Sequence, residues 1–288
     1  MAKELSPCGL VERSIITKFR KGIWTKFLQA VKGYNLLEAG DRVAVCISGG
    51  KDSILLAKCI QELKRHSDIQ FDAEYIVMNP GYERENLQLI ESNLELLEIP
   101  AKIFASDIFD VNELIGGEHP CYLCARMRRG FLYARAKELG CNKIALGHHM
   151  SDVIETTLMG MMFGGQIQGM MPKIKSTNFE GMELIRPLYC VNEDDIVHWQ
   201  QYNNLKFIAC ACKLTKGLSL GEQGQSARQD IKRLIKDFRT RNPDVDASIF
   251  KSLHNVQLDT LPAFKYKGET YPFNGKYESG IEIIKKDW

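Results

Sequence analysis

No run of apolar residues in this 288-residue chain is long enough to cross a bilayer. The opening segment, Met1 to Cys8, lacks the apolar stretch of a secretory signal. A cytoplasmic location with no membrane partner is therefore the expectation. Charge of one sign is also missing: 38 Lys and Arg against 36 Asp and Glu leave a formal +2, so bulk charge makes no case for nucleic acid. There is no internal repeat and no low-complexity tract. Two familiar phosphate-binding signatures are absent as well. Gly50-Lys51 is followed by Asp52 where a Walker A loop needs Ser or Thr, and no Gly-x-Gly-x-x-Gly follows the first strand candidate. Nine cysteines make an odd count, and their spacing is not that of a small secreted scaffold. In a reducing compartment such cysteines are metal ligands, nucleophiles or buried small hydrophobes.

What is present centres on Ser48-Gly49-Gly50-Lys51-Asp52-Ser53. The preceding Val43-Ala44-Val45-Cys46-Ile47 reads as a buried parallel strand, and Ile54 to Ile60 follows as an apolar stretch at helical spacing. Strand, glycine turn and helix start together make an anion site. The glycines let backbone approach a phosphate, and the unpaired N–H groups and dipole of the helix start favour its charge. Ser48 and Ser53 add hydroxyls and Lys51 a mobile cation.

The rest of the chain supplies the frame. Residues 10–34 read as a leading helix. Strand candidates at 42–47, 71–78, 101–105 and 142–147 alternate with helical stretches at 52–65, 84–97 and 121–139. This alternation predicts an α/β fold, a doubly wound parallel sheet with helices on both faces. Met159 to Pro172, with five methionines, is either methionine-rich packing or a mobile segment over the site. Helices at 193–203 and 226–241 predict a small C-terminal helical appendage, and the stretch after 256 has no clear period. The expected division is a helical segment at 1–40, a nucleotide-binding α/β domain at 41–190, a helical part at 191–255 and a tail at 256–288.

Two further constellations carry chemistry. Ile144-Ala145-Leu146-Gly147-His148-His149 ends the fourth strand candidate, with Asp152 just beyond. Open α/β sheets bind ligands past the carboxyl ends of their strands, so this segment and the glycine turn would reach one edge. Gly147 would permit close approach to a nucleotide. Asp52 and Asp152 would hold Mg²⁺ against its phosphates, although Asp152 would serve equally as a helix N-cap. His148 sits at the strand end and reads as functional, while His149 reads as a core or surface residue. The other constellation is Cys121-Tyr122-Leu123-Cys124, with Cys210-Ala211-Cys212 downstream. A Cys-x-x-Cys serves metal or redox roles. Zinc on all four cysteines and three thiolates on an iron–sulfur cluster with one open iron are the two metal readings. Cys8, Cys46, Cys59, Cys141 and Cys190 read as buried small residues. Basic runs at Arg126, Arg128, Arg129 and Arg135, and at Lys232 to Arg241, read first as solvated helix faces and only weakly as an RNA surface.

Together these segments, with Asn35 to Val43, Ala125 to Gly130, Arg186-Pro187-Leu188 and Phe207-Ile208-Ala209-Cys210, resemble the tRNA 2-thiocytidine synthetase family of PP-loop ATP pyrophosphatases across residues 20–255. The resemblance implies an ATP-dependent tRNA sulfurtransferase that adenylates C2 of an anticodon-loop cytidine, releases pyrophosphate and then exchanges AMP for sulfur. It implies ATP bound by Ser48, Gly49, Gly50, Lys51, Asp52, Ser53, Gly147, His148 and Asp152, with Mg²⁺. It further implies a 4Fe-4S cluster on Cys121, Cys124 and Cys210, and puts Lys51, Asp52 and those three cysteines in catalysis. Its implied partners are tRNA, a sulfur donor such as a cysteine desulfurase, and a second copy in a homodimer. The chain departs from the family pattern at Met150-Ser151, where Arg-Asp is usual, and at Ala209, where Pro is usual, which leaves Cys212 as a rival third ligand. The alternatives are a PP-loop sulfurtransferase or amidating ligase for tRNA uridine or a small metabolite, and a zinc-stapled RNA-binding protein that senses ATP.

Overall fold

The computed structural model describes residues 5–106, 108, 120–208, 227–274 and 277, with backbone alone for 120–125. Cys210 and Cys212 lie outside the described residues, as do the side chains of Cys121 and Cys124. The chain divides into two compact units, Met1–Leu234 and Ile235–Trp288.

The first unit is built on a six-stranded sheet. Its strands are β1 Arg42–Ile47, β2 Asp72–Asn79, β3 Ala101–Ala105, β4 Lys143–Ala145, β5 Lys173–Lys175 and β6 Glu183–Ile185, in the order β3-β2-β1-β4-β6-β5. All neighbours pair in parallel except β5, which runs antiparallel at the edge. The α/β doubly wound expectation is met. β1 lies centrally and is covered on both faces, which explains why Val43 to Ile47 are apolar without alternation and all buried. One face packs Ala44, Cys46, Ile76 and Ile144 against Tyr133 and Ala136 of helix α5 (Pro120–Glu138). On the other, α3 (Lys51–His66) is buried along nearly its whole length.

The leading segment is not one helix. α1 (Pro7–Ile16) and α2 (Thr25–Gly33) are separated by a π turn at Arg20–Trp24. At Gly22 in that turn a Cβ would lie 2.5 Å from the Asp195 carboxylate, so a larger residue would require that side chain to swing aside. α1 is fastened by a buried cation: Lys58 of α3 reaches Glu12 at 2.6 Å, the Leu97 carbonyl at 2.8 Å and the Cys8 thiol at 3.3 Å. Cys8, Cys46, Cys59, Cys141 and Cys190 are buried free thiols, as expected. Burial pushes the thiols of Cys46, Cys59 and Cys141 upward, which keeps them protonated and inert.

Further helices are α4 (Arg84–Leu96), α6 (Met150–Gly164), α7 (Glu193–Tyr202), α8 (Ala227–Arg239) and α9 (Val245–Ser252). Beyond residue 160 the structure adds elements that the sequence pattern does not show and narrows one open reading. Three-residue β5 and β6 extend the sheet there, too short to show a period. Met161, Met162 and Met171 are also largely exposed, so methionine packing does not explain that segment. After α6, Gly165 takes a left-handed conformation (φ 59°) that stops the helix. In the second unit the stretch after 256 holds a hairpin, β7 (Ala263–Tyr266) and β8 (Glu269–Pro272), turned by Lys267 and Gly268 at positive φ. Phe264 stacks on Tyr271 across it at 5.0 Å. No helix among the described residues is long and apolar enough to cross a membrane.

At the amino ends of β1 and β4 the sheet is stapled by a buried ion pair. Lys143 Nζ meets Asp41 Oδ2 at 2.6 Å, and the same carboxylate accepts from the Glu38 N–H and from Asn142 Nδ2, both at 2.7 Å. Burial works to raise the Asp41 pKa, but these bonds outweigh it and hold the carboxyl below its ordinary value. Asp41→Asn should cost about 1–3 kcal/mol in urea unfolding at pH 7, because it removes the closer of two carboxylates and leaves the buried ammonium with Glu183 at 3.4 Å. The lowered pKa makes the pair's contribution present above the ordinary value of 3.8 and lost as pH falls further. The gap between wild type and variant should therefore close below that pH.

Candidate functional site

β1 is flanked by β2 on one side and β4 on the other, so the chain direction of the crossovers reverses between β1 and β4. A crevice at such a switch point, at the carboxyl ends of the strands, is where open α/β sheets bind nucleotides. The glycine turn follows β1 and the Gly-His-His segment follows β4. A cavity of about 400 Å³ lies there, lined by Ser48, Asp52, Ser53, Gly147, His148 and Asp152, with Arg128, Arg129 and Arg228 added from elsewhere.

The turn is shaped by its own side chains. Ser53 Oγ donates to the Gly50 carbonyl at 2.9 Å and accepts from the Ser48 N–H at 3.1 Å. Gly49 adopts φ 82°, and a Cβ there would sit 2.5 Å from Ile90 and 2.9 Å from Ile208. Gly50 occupies the N-cap of α3 with no side-chain cap, which leaves the first turn of that helix open to an anion. Gly147 has a related role. A Cβ on it would lie 3.0–3.2 Å from the backbone of Asp52 and Ser53, so its close approach is to the turn itself.

Lys51 is not free. Its ammonium lies 3.0 Å from Glu193 at the start of α7 and 3.2 Å from Asp52. Burial would lower its pKa, but the two carboxylates more than offset this and raise it. Glu193 also accepts from Lys232 at 3.0 Å. Burial pushes the Glu193 carboxyl upward, yet Lys51 and Lys232 bring it down to about 2. Arg228 Nε reaches Glu155 at 2.8 Å and its Nη2 reaches Asp152 at 3.1 Å. Glu155 shifts the other way, upward, because its side chain is far more buried than that of Glu193 and desolvation outweighs both cations.

The two histidines differ in role. His149 is the N-cap of α6: its Nδ1 accepts from the Asp152 N–H at 3.3 Å, and Asp152 Oδ2 accepts from the His149 N–H at 3.1 Å. Asp152 thus stands in the first turn rather than at the cap. With Nδ1 accepting, the ring proton falls on Nε2, which faces Asp52 Oδ1 at 3.7 Å. That oxygen is buried and accepts no hydrogen bond, with the Lys51 ammonium at 3.2 Å as its charge partner. His148 lines the cavity instead, its Nδ1 buried and also unpartnered. Burial first, then the Arg186 charge, lowers its pKa to about 4, so it is neutral at pH 7.

The sequence matches the family described as PP-loop domain over residues 21–212. Among curated proteins, the tRNA-cytidine(32) 2-sulfurtransferase of Aliivibrio salmonicida is 35% identical over 262 residues, 90% of this chain and 83% of that one. The enzyme of the same name from Neisseria meningitidis serogroup C is 34% identical over 85% of this chain and 74% of its own length. The chain belongs to the tRNA-cytidine(32) 2-sulfurtransferase family. Among solved structures, the U34-tRNA thiolase NcsA from Methanococcus maripaludis, determined with its 4Fe-4S cluster, superposes with a TM-score of 0.63. It shares 21% identity over 82% of this chain and 80% of its own, a likeness of fold.

Within this family member, sequence reasoning missed Glu193, Glu155 and Arg228. None stands in a recognisable motif, and each reaches the site from an element remote in sequence. Cys121 and Cys124 fall in the first turns of α5, the helix that also carries Arg128 and Arg129 to the cavity wall. Arg135 of the same basic run faces elsewhere, pairing with Glu138 at 2.6 Å.

Gly147→Ala should destabilise the protein by about 1–3 kcal/mol in thermal unfolding and weaken nucleotide binding, since the intruding Cβ meets backbone. Gly130→Ala, in α5 with open space around it, should be neutral or stabilising by about 0.5–1 kcal/mol. Glu193→Gln should flatten the acid limb of the stability curve. A carboxyl lowered to about 2 contributes above its ordinary 4.5 and loses that contribution between 4.5 and 2, a slope the amide lacks.

Proposed function

We propose that the protein is an ATP-dependent, iron–sulfur-dependent tRNA sulfurtransferase that thiolates C2 of a cytidine in the anticodon loop. The observation that carries the reading is the meeting of the Ser48–Ser53 turn and the Gly147–Asp152 segment at one cavity, in a chain of this family.

The open first turn of α3 and Lys51 would hold the ATP phosphates, and Lys51 would exchange Glu193 for a phosphate oxygen on binding. Asp52 and Asp152 both line the cavity, and the buried Asp52 Oδ1 has only the Lys51 ammonium beside it, which fits Mg²⁺ held by two carboxylates plus phosphates once Lys51 turns to the nucleotide. The metal would neutralise charge on the phosphates. Among the described residues no group of three or more His, Cys, Asp and Glu is arranged to hold a metal unaided, as expected where the nucleotide supplies ligands. The cytidine O2 would attack the α-phosphorus and expel pyrophosphate, leaving an adenylated base whose C2 then accepts sulfur as AMP departs. His148, neutral at pH 7, would contribute a hydrogen bond rather than a charge.

Cys121 and Cys124 stand three residues apart in the sequence of α5, a Cys-x-x-Cys spacing that suits two ligands of one cluster, with Cys210 proposed as the third. Such a cluster supplies an iron free of protein ligands at which sulfur can be held. Arg128 and Arg129, one turn further along, would bring RNA phosphates to the cavity mouth, where a loop base is presented unstacked. Cytosolic action, a cysteine desulfurase as sulfur donor and a homodimer belong to the same proposal.

The test is anaerobic purification with iron, sulfide and zinc analysis, followed by nucleoside analysis of tRNA. A brown protein that forms 2-thiocytidine only with ATP is expected; a colourless zinc protein would remove the cluster. Cys124→Ala should retain ATP affinity and lose thiolated nucleoside, and retained thiolation would refute the cluster's role.

A further inference from the structure

We propose that Arg186 is the anion-binding residue of a second subsite at the nucleotide cavity, and that its ligand is a phosphoryl group. The residue stands at the carboxyl end of β6, the strand beside β4. The Leu146 N–H donates to the Ile185 carbonyl at 3.0 Å, so Arg186 follows directly alongside Leu146, Gly147 and His148, which form the cavity wall.

Its surroundings are unusual for a buried cation. Arg186 is 7% exposed. The guanidinium donates from Nη1 to the Met171 carbonyl, while Nε is buried with no acceptor. No carboxylate among the described residues lies within ion-pair distance of it, whereas the other buried cations, Lys58 and Lys143, each have one at 2.6 Å. Two charged residues of the cavity wall act on it in opposite senses: Arg129, a like charge, and more weakly the Asp152 carboxylate, which is itself paired with Arg228. Beside it His148 presents a second orphaned nitrogen. Leaving a guanidinium desolvated and unpaired is unfavourable, and a bound anion would remove that cost. The planar fork of arginine suits the oxygens of a phosphoryl group, and the structural position rules out a merely solvated charge.

The subsite rests on the nucleotide and tRNA reading given above, which offers two sources of that chemistry: the α-phosphoryl of ATP or a phosphodiester of the tRNA. The experiment compares wild type, Arg186→Lys and Arg186→Gln, purified with their metal content intact. ATP affinity is measured by calorimetry and tRNA affinity by filter binding at several salt concentrations. Loss of roughly tenfold or more in affinity is expected for one ligand, larger for Gln than for Lys. A loss confined to ATP assigns the α-phosphoryl. A loss for tRNA, with the salt slope reduced by about one, assigns the phosphodiester. A purely structural role would instead lower the urea midpoint without moving either constant or the slope. Unchanged binding of both ligands in either folded variant overturns the subsite. If wild type itself binds neither ligand, the functional reading has failed and the subsite with it.

Discussion

The functional half of this molecule depends on one steric allowance: the missing side chain at Gly147. Because nothing projects from that Cα, the exit of β4 lies so close to the backbone of Asp52 and Ser53 that a Cβ would sit 3.0–3.2 Å from it and push the two loops apart. Two loops that belong to different strands then share one cavity wall. The capping exchange between His149 and Asp152 fixes the direction in which α6 departs, and this sets Asp152 and Asp52 on either side of one imidazole.

Around this core runs a band of alternating charge: Asp52, Lys51, Glu193, Lys232, Glu155, Arg228 and Asp152. The band joins the glycine turn to α6, α7 and the start of α8. Its members are half-buried, where a pair that is well made contributes and a broken one is costly. An incoming polyphosphate therefore does not meet a bare cation. It competes with carboxylates for Lys51 and is repelled by others unless a divalent cation accompanies it, which is a source of selectivity for the metal-bound nucleotide.

Much of this was legible in the residues. The uninterrupted Val43–Ile47 run announced a central parallel strand, and the glycine turn and Gly-His-His segment announced the two loops that meet. What stayed hidden was hidden for physical reasons. β5 and β6 are three residues each, too brief for periodicity, yet β6 carries Arg186 to the sheet's working edge. The leading helix broke at a π turn that leaves the apolar spacing nearly intact. His149 reads in the sequence as a core or surface residue because a histidine seldom caps a helix, and the cap it forms is offered there only as an alternative role for Asp152. Glu193 and Arg228 look like ordinary surface charges until tertiary structure sets them opposite Lys51 and Asp152, 142 and 76 residues away.

The central place of β1 also bears on how the chain is made. Its hydrogen-bonding partner on one side, β2, is synthesised soon after it, but Val43 pairs on the other side with Lys143, about a hundred residues later. At roughly 5–20 residues per second, ribosomes need about 5–20 s to deliver β4. Throughout that interval the Val-Ala-Val-Cys-Ile segment presents an open, apolar edge to its surroundings, the kind of surface that recruits other strands. The same arrangement that places two loops at one cavity thus makes the nascent chain a natural client for chaperones until its second half emerges.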